Sequence, residues 1–252
     1  MAAKQFGTHR LTGTVGDVTY AQTKRGFIAR ERTKVNMAER KTAQNFQSWR
    51  DHTAEFGIMI KEAKTFRSAF TDLNWNVKNK GIVQQTMKLM NQIRKTDTVS
   101  LRGQRCASKG DLSLLTGFDF TGNGSIETAL NGGYTASFDR VTGEVQVVVD
   151  EMIAGQRLAA PPNATHYMIS LAAASINFET DSINKALVSS AKILISQDLV
   201  PATTLTAPLP PNSTDPVFIA LKLEYFNELN GNTYPVMSNA SINSTVISVD
   251  QG

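Results

Sequence analysis

The sequence predicts an α+β fold: a basic N-terminal β-hairpin arm and a two-helix region followed by an antiparallel Ig-like β-sandwich. Three observations carry this expectation. Apolar residues between 8 and 35 alternate with Thr, Gln and Arg. Between 38 and 95 they recur at spacings of three, four and seven. From 112 onward they return to period two, in short runs separated by Gly, Asn and Pro clusters. The expected divisions are an extended arm at 1–36, a helical region at 37–96, a linker at 97–111 and the sandwich at 112–252.

Val15, Val18, Tyr20, Phe27 and Ile28 form the alternating set of the arm, punctuated by Gly13, Gly16 and Gly26. The simplest reading is a hairpin turning near Thr23–Gly26. Its return strand, 27–35, is heavily charged, the pattern of a sheet edge or of a strand lying on a partner. Phe46, Trp49, Phe56, Ile60, Ala63, Phe66, Phe70 and Leu73 then predict one helix with a broad apolar stripe from about Ala38 to Leu73. Asn36 is its candidate N-cap and Gly57 its expected weak point. A second helix is expected over Asn79–Lys95, with Ile82, Val83, Met87, Met90 and Ile93 inward. Residues 96–111 are basic and polar with two glycines, the composition of a linker.

Eight strands are expected in the sandwich: Ser113–Phe120, Tyr134–Phe138, Glu144–Asp150, His166–Ala174, Ala191–Gln197, Thr203–Ala207, Val217–Phe226 and Ala240–Val249. The apolar run at 217–226 reads as the central one.

Composition bounds function without naming it. A chain of 252 residues with 41% hydrophobic and 19% charged residues can bury a sizeable core. No apolar run is long enough for a spanning helix. The polar start after Met1 has no signal-peptide h-region, so a cytoplasmic origin is expected. Cys106 is the single cysteine and cannot form an internal disulfide. His9, His52 and His166 lie in no metal-ligand spacing. No phosphate loop, dinucleotide fingerprint or nucleophile elbow occurs. Asp119, Asp139, Asp150 and Glu151 lack the D-x-D-x-D-G run of a calcium loop and read as surface loops. The five N-x-S/T triplets, at Asn123, Asn163, Asn212, Asn239 and Asn243, read as turn composition. The expectation is therefore a protein that is not an enzyme, with no cofactor, metal or small-molecule substrate.

Charge is the most informative feature. Residues 1–110 hold 21 of the 26 basic and 8 of the 22 acidic residues, a net of +13; residues 111–252 hold 5 and 14, a net of −9. A split of this size bears on association. The candidate subunit-interface or polyanion-facing residues are Lys24, Arg25, Arg30, Arg32 and Lys34 on the arm, Arg40 and Lys41 at the helix start, and Arg102 and Arg105 in the linker. Few aromatics interleave with them, and no helix-turn-helix or zinc-finger pattern is present.

The segment Thr12-Gly-Thr-Val-Gly-Asp-Val-Thr-Tyr20, followed by Lys24-Arg-Gly26 and Arg30, resembles the opening of an uncharacterised family found in Bacteroidota genomes and their phages. That family opens with a G-x-V-G-x-V-x-Y hairpin, then helices and a C-terminal β-sandwich. Lys41-Thr-Ala-Gln44 stands where the family has R-T-P-A-Q, without the proline, and Val236-Met-Ser-Asn-Ala-Ser241 is similar to its Ser-Asn-Ser ending. The resemblance implies architecture and a viral setting. The expected function is a structural protein of a phage or phage-like particle, built through its arm into a ring, tail or capsid layer of the virion. Its expected partners are further copies and other virion proteins, with no membrane. The alternatives are a nucleic-acid-binding accessory protein that grips phosphates without reading sequence and a sugar- or surface-binding module using the sandwich loops.

Overall fold

The computed structural model describes residues 2–5, 10–24, 26–32, 37–131, 133–236 and 241–252. His9, Arg25, Lys34, the candidate cap Asn36 and the Asn239 triplet lie outside these residues. The fold is α+β, with antiparallel strands throughout, and the chain divides after Arg50 into two units.

Alternation produces strands in the first unit, more of them than the single hairpin expected. β1 (Ala2–Lys4), β2 (Gly13–Val15), β3 (Val18–Thr23) and β4 (Gly26–Glu31) form one sheet in the order β1-β4-β3-β2. The expected turn closes β3 onto β4, with Thr23 opposite Gly26 and the Thr23 hydroxyl donating to the Gly26 carbonyl at 2.8 Å. A second tight turn joins β2 to β3 at Gly16, whose φ of 56° costs a glycine little. The short helix α1 (Met37–Thr42) follows.

The long helix α2 spans Gln47–Ala69, and a 3₁₀ turn at Gln44–Phe46 separates it from α1. Gly57 does not interrupt it, and a β-carbon placed there meets nothing within 4 Å. Gly57→Ala is therefore expected to stabilise the protein by roughly 0.5–1 kcal/mol, by restricting the unfolded chain, readable as a raised urea midpoint.

Residues 51–252 build three layers. α2 and α3 (Ile82–Arg94) form the outer layer. The middle layer is a sheet centred on β8 (His166–Asn177) and β13 (Val217–Leu229), which pair from Val217–Ser175 to Phe226–His166. β9 (Ser182–Ser189) and β10 (Ile193–Leu194) flank β8; β14 (Asn232–Pro235) and β15 (Ile242–Asp250) flank β13. The third layer contains β5 (Tyr134–Asp139), β6 (Glu144–Val149) and β12 (Thr203–Pro208), in the order β12-β6-β5, and the two-residue strands β7 (Met152–Ile153) and β11 (Leu199–Val200) pair with each other. The two sheets face each other as a sandwich.

Two cores lie on opposite faces of the middle sheet. Odd-numbered Val217, Ile219, Leu221, Leu223 and Tyr225 point toward Val145, Val147, Val149 and Leu205 of the third layer. Phe218 and Ala220 point the other way, with Ala172 and Ala174, toward Met59, Ala63, Phe66, Phe70 and Met90 of the helices. Burial on both faces is why the run at 217–226 is almost continuously apolar. It also explains why residues 51–94 belong to the sandwich unit: Met59, Ala63, Phe66, Met90 and Ile93 cover the sheet's second face, while Phe56, Ile60 and Val83 of the expected stripes stay exposed.

Two strand expectations are corrected. At 113–120 the chain makes a 3₁₀ turn over Leu112–Leu115, capped by Asp111, whose carboxylate accepts the Ser113 N–H at 3.1 Å. Leu112 and Leu115, three apart, are both buried, which the turn permits and a strand does not. Residues 117–120 then run along β15, with Asp119 bridged to Thr245. β9 was missed because its sequence, SINKALVS, is half polar, as suits a flanking strand.

Candidate interaction surface

The first unit presents a sheet whose described side chains are at most half-buried. Pairing places Val15 opposite Val18, Val18 opposite Glu31, Gly13 opposite Tyr20, Tyr20 opposite Ala29 and Gln22 opposite Phe27, so Val15, Val18, Tyr20, Phe27 and Ala29 share one face with Gln22 and Glu31. That face is only partly covered among the described residues: Val18, Tyr20, Phe27 and Ala29 are half-buried, Val15 is 68% exposed, and no described side chain in residues 1–50 is fully buried. Arg10 lies over the Phe27 ring at 4.9 Å, a contact that leaves the rest of the face open. The other face carries Thr14, Thr19, Ala21, Ile28 and Arg30, with the Thr14 and Thr19 hydroxyls 3.3 Å apart.

The candidate cations fall into different environments. Lys24 is exposed at the β3–β4 turn, whereas Arg30 and Arg32 are exposed at the opposite end of the hairpin. Six residues of strand separate the two groups by about 20 Å. Lys41 is exposed on α1. Arg40 is half-buried, with its guanidinium 5.1 Å from the Trp49 ring and 5.9 Å from that of Phe46. Its neighbour in space, Arg50, donates to the carbonyls of Arg40 and Ala43 at 2.8 and 2.9 Å. Arg40 therefore serves the local fold, and Lys24, Arg30, Arg32 and Lys41 form the outward-facing positive set.

Arg102 and Arg105 sit in the second unit. Arg102 is 3.6 Å from Asp51, while Arg105 is half-buried with its Nε lacking a hydrogen-bond partner among the described residues. The segment read as a linker is a clamped loop. Asp51, Glu55 and Glu62 lie on one side of α2 by their spacing. Glu55 pairs with Arg94 and accepts the Gly103 N–H at 2.9 Å; Glu62 accepts those of Ala107 and Ser108 at 2.8 and 3.0 Å. Asp97, only 1% exposed, accepts the N–H groups of Val99, Ser100 and Cys106. Val99 and Leu101 consequently project from a fixed loop, 82% and 73% exposed. The sequence offered a signal for this clamp that composition alone hides: acids flanking the apolar stripe of α2, opposite a basic segment.

Burial of Asp97 opposes its ionisation, but the N–H groups and hydroxyl that it accepts, from Ser100 first and then from Cys106 and Val99, outweigh burial and hold its carboxyl at about 2. A folded-state value below the unfolded one stabilises above pH 4. That stability, on the order of 2–3 kcal/mol, is lost as pH falls from about 4 toward 2. Urea titrations between pH 6 and 2 are expected to show this slope, and Asp97→Asn to remove that part of it.

A separate cleft of about 510 Å³ is lined by Trp75, Asn76, Lys78, Thr121, Asn123 and Ile242. Trp75 is 77% exposed beside it. The Asn76 amide faces inward, donating to Glu224 and accepting from Lys222, both at 2.6 Å. No cluster of three or more His, Cys, Asp or Glu side chains suited to a metal occurs among the described residues. None of their helices is long and apolar enough to cross a membrane.

No protein-family model and no curated protein matches the chain. Among solved structures, a chain described under "pH-induced modulation of Streptococcus parasanguinis adhesion by Fap1 fimbriae" aligns over 46% of this chain and 78% of its own, at 13% identity. Its TM-score of 0.24 is too low to inform fold or function.

Proposed function

We propose that this chain is a structural subunit of a phage or phage-like particle, assembled into a ring, tail or capsid layer through its N-terminal sheet. One observation carries the assembly reading: a four-stranded sheet with an apolar face and no buried described side chain. A single sheet without a second layer lacks the burial that offsets the entropy of ordering it. Covering Val15, Val18, Tyr20 and Phe27 with another molecule supplies that burial. The viral setting rests on the resemblance of residues 12–30 and 236–241.

Sedimentation velocity over a concentration series tests the proposal. Concentration-dependent assembly is expected, weakening between about 0.1 and 1 M salt as the Debye length shortens from ~10 to ~3 Å. A monomer at every concentration and at low salt contradicts it. The exposed set Lys24, Arg30, Arg32 and Lys41 favours non-sequence-specific nucleic-acid binding as a second reading. In that case duplex DNA, rather than concentration, would drive association, with a steep log–log salt dependence.

A further inference from the structure

Among the described residues, β5 is a lateral strand of the sandwich that no other segment covers. An edge strand exposes unpaired N–H and C=O groups, and proteins ordinarily blunt it with proline, lysine or a covering segment. Here β9 carries Lys185, β12 ends at Pro208, β14 is four residues long and ends at Pro235, and β15 is covered by residues 117–120. β5 has none of these devices. It pairs with β6 on one side, and among the described residues no strand pairs with the other. Tyr134, Ala136 and Phe138 turn toward the core, leaving Thr135, Ser137 and Asp139 exposed.

Charge surrounds this edge. Asp139 and Glu144 are exposed at the hairpin end, and Glu127, Asp150 and Glu151 at the other. Glu127 accepts the Tyr134 hydroxyl at 3.1 Å, which places it beside the strand. Two arginines lie nearby. Arg140 is paired with Asp250, and Arg157 donates to the Asn131 carbonyl at 3.0 Å. The edge therefore has a neutral hydrogen-bonding centre and acidic ends. The first unit, residues 1–50, holds 10 basic and 3 acidic residues. Its sheet carries Lys4, Arg30 and Glu31 on the strands, with Arg10, Asp17, Lys24 and Arg32 beside them, and among the described residues its outer strands β1 and β2 each pair on one side only.

We propose that the open edge of β5 is the docking site for the cationic N-terminal sheet of a second copy of this chain. The inference rests on the assembly reading above and adds to its face contact an edge contact, between a strand of the N-terminal sheet and β5 of the next copy. Main-chain hydrogen bonds between the sheets supply affinity, and the acidic ends select a cationic sheet over the many neutral strands able to pair. The contact is heterologous, head of one copy to sandwich of the next, so it propagates into a ring or a filament.

The test uses the full chain. Thr135→Lys/Ser137→Lys puts two cations on the receiving edge at exposed positions; Thr204→Lys/Thr206→Lys, exposed on β12, adds the same charge elsewhere. Sedimentation is expected to show association weakened by about tenfold or more in the first and nearly unchanged in the second. A charge exchange gives a second readout. Arg30→Glu/Arg32→Glu and Glu144→Lys/Glu151→Lys should each weaken assembly, and all four together in one chain should restore it. Unaltered assembly in the β5 variant, or absence of restoration, overturns the β5 assignment while the assembly reading stands. A wild-type chain that never associates overturns both. Unchanged thermal unfolding of each variant confirms that folding is not what moved.

Discussion

Phe66→Ala should cost about 3–5 kcal/mol, the largest loss expected from a single apolar truncation in this protein. Phe66 is fully buried at the centre of the second core. Its ring lies 5.5 Å from those of Phe70 and Phe218 and 5.9 Å from those of Phe118 and Phe120. The five rings come from α2, from the 117–120 segment and from β13, so one side chain joins the helical layer to the sheet. Truncation removes the transfer energy of the ring and leaves a space that neighbours on three separate elements cannot close together. Urea unfolding should show the lower stability in a single transition, because helices and sheet share this core. Two separated transitions after the substitution would mean that the helical layer folds independently.

A loss of similar size, about 3–5 kcal/mol, is expected for Glu224→Ala. Lys222 and Glu224 sit on β13, 3% and 5% exposed, with Nζ and Oε2 3.1 Å apart. They are even-numbered and share the helix side of the strand with Phe218 and Ala220, at the point where the apolar cover gives way to Asn76. That amide bonds both partners, so the pair is enclosed and satisfied. Burial pulls the Lys222 amine below its ordinary value, opposed by the carboxylate of Glu224. Removing the carboxylate leaves the amine enclosed without its counter-charge. Replacing both partners, as Lys222→Met/Glu224→Leu, should come close to neutral, because the desolvation of two charges disappears with their attraction. Denaturant titration of the single and double variants measures both. A single variant as stable as the double would show that water already reaches the site.

Periodicity made the fold class legible, because each layer needs its own spacing of apolar residues. Val217–Phe226 announced a central strand through an apolar run broken only at Lys222 and Glu224, and Met90, Ile93, Phe66 and Phe70 announced helices that needed a cover. Pairwise placement was not legible. Nothing local distinguishes Phe66, which is buried, from Phe56, which is 51% exposed on the same helix, since only the position of the sheet decides. Residues 97–111 look like a linker because their polar side chains dominate the composition; their order comes from backbone N–H groups held by Glu55, Glu62 and Asp97. The positive set was visible as a cluster along the chain. Its division into outward-facing Lys24, Arg30, Arg32 and Lys41, locally stacked Arg40, and Arg102 beside Asp51 depends on partners distant in sequence or on ring geometry.

Amide hydrogen exchange over residues 13–31, followed as a function of protein concentration, bears most directly on whether the leading sheet gains its second layer from another molecule. A single layer with no fully buried side chain opens at little cost, so these amides should exchange rapidly in dilute protein and slow by at least about a hundredfold once chains associate, while those of β8 and β13 stay protected throughout. Strong, concentration-independent protection of residues 13–31 in a monomer would contradict the account.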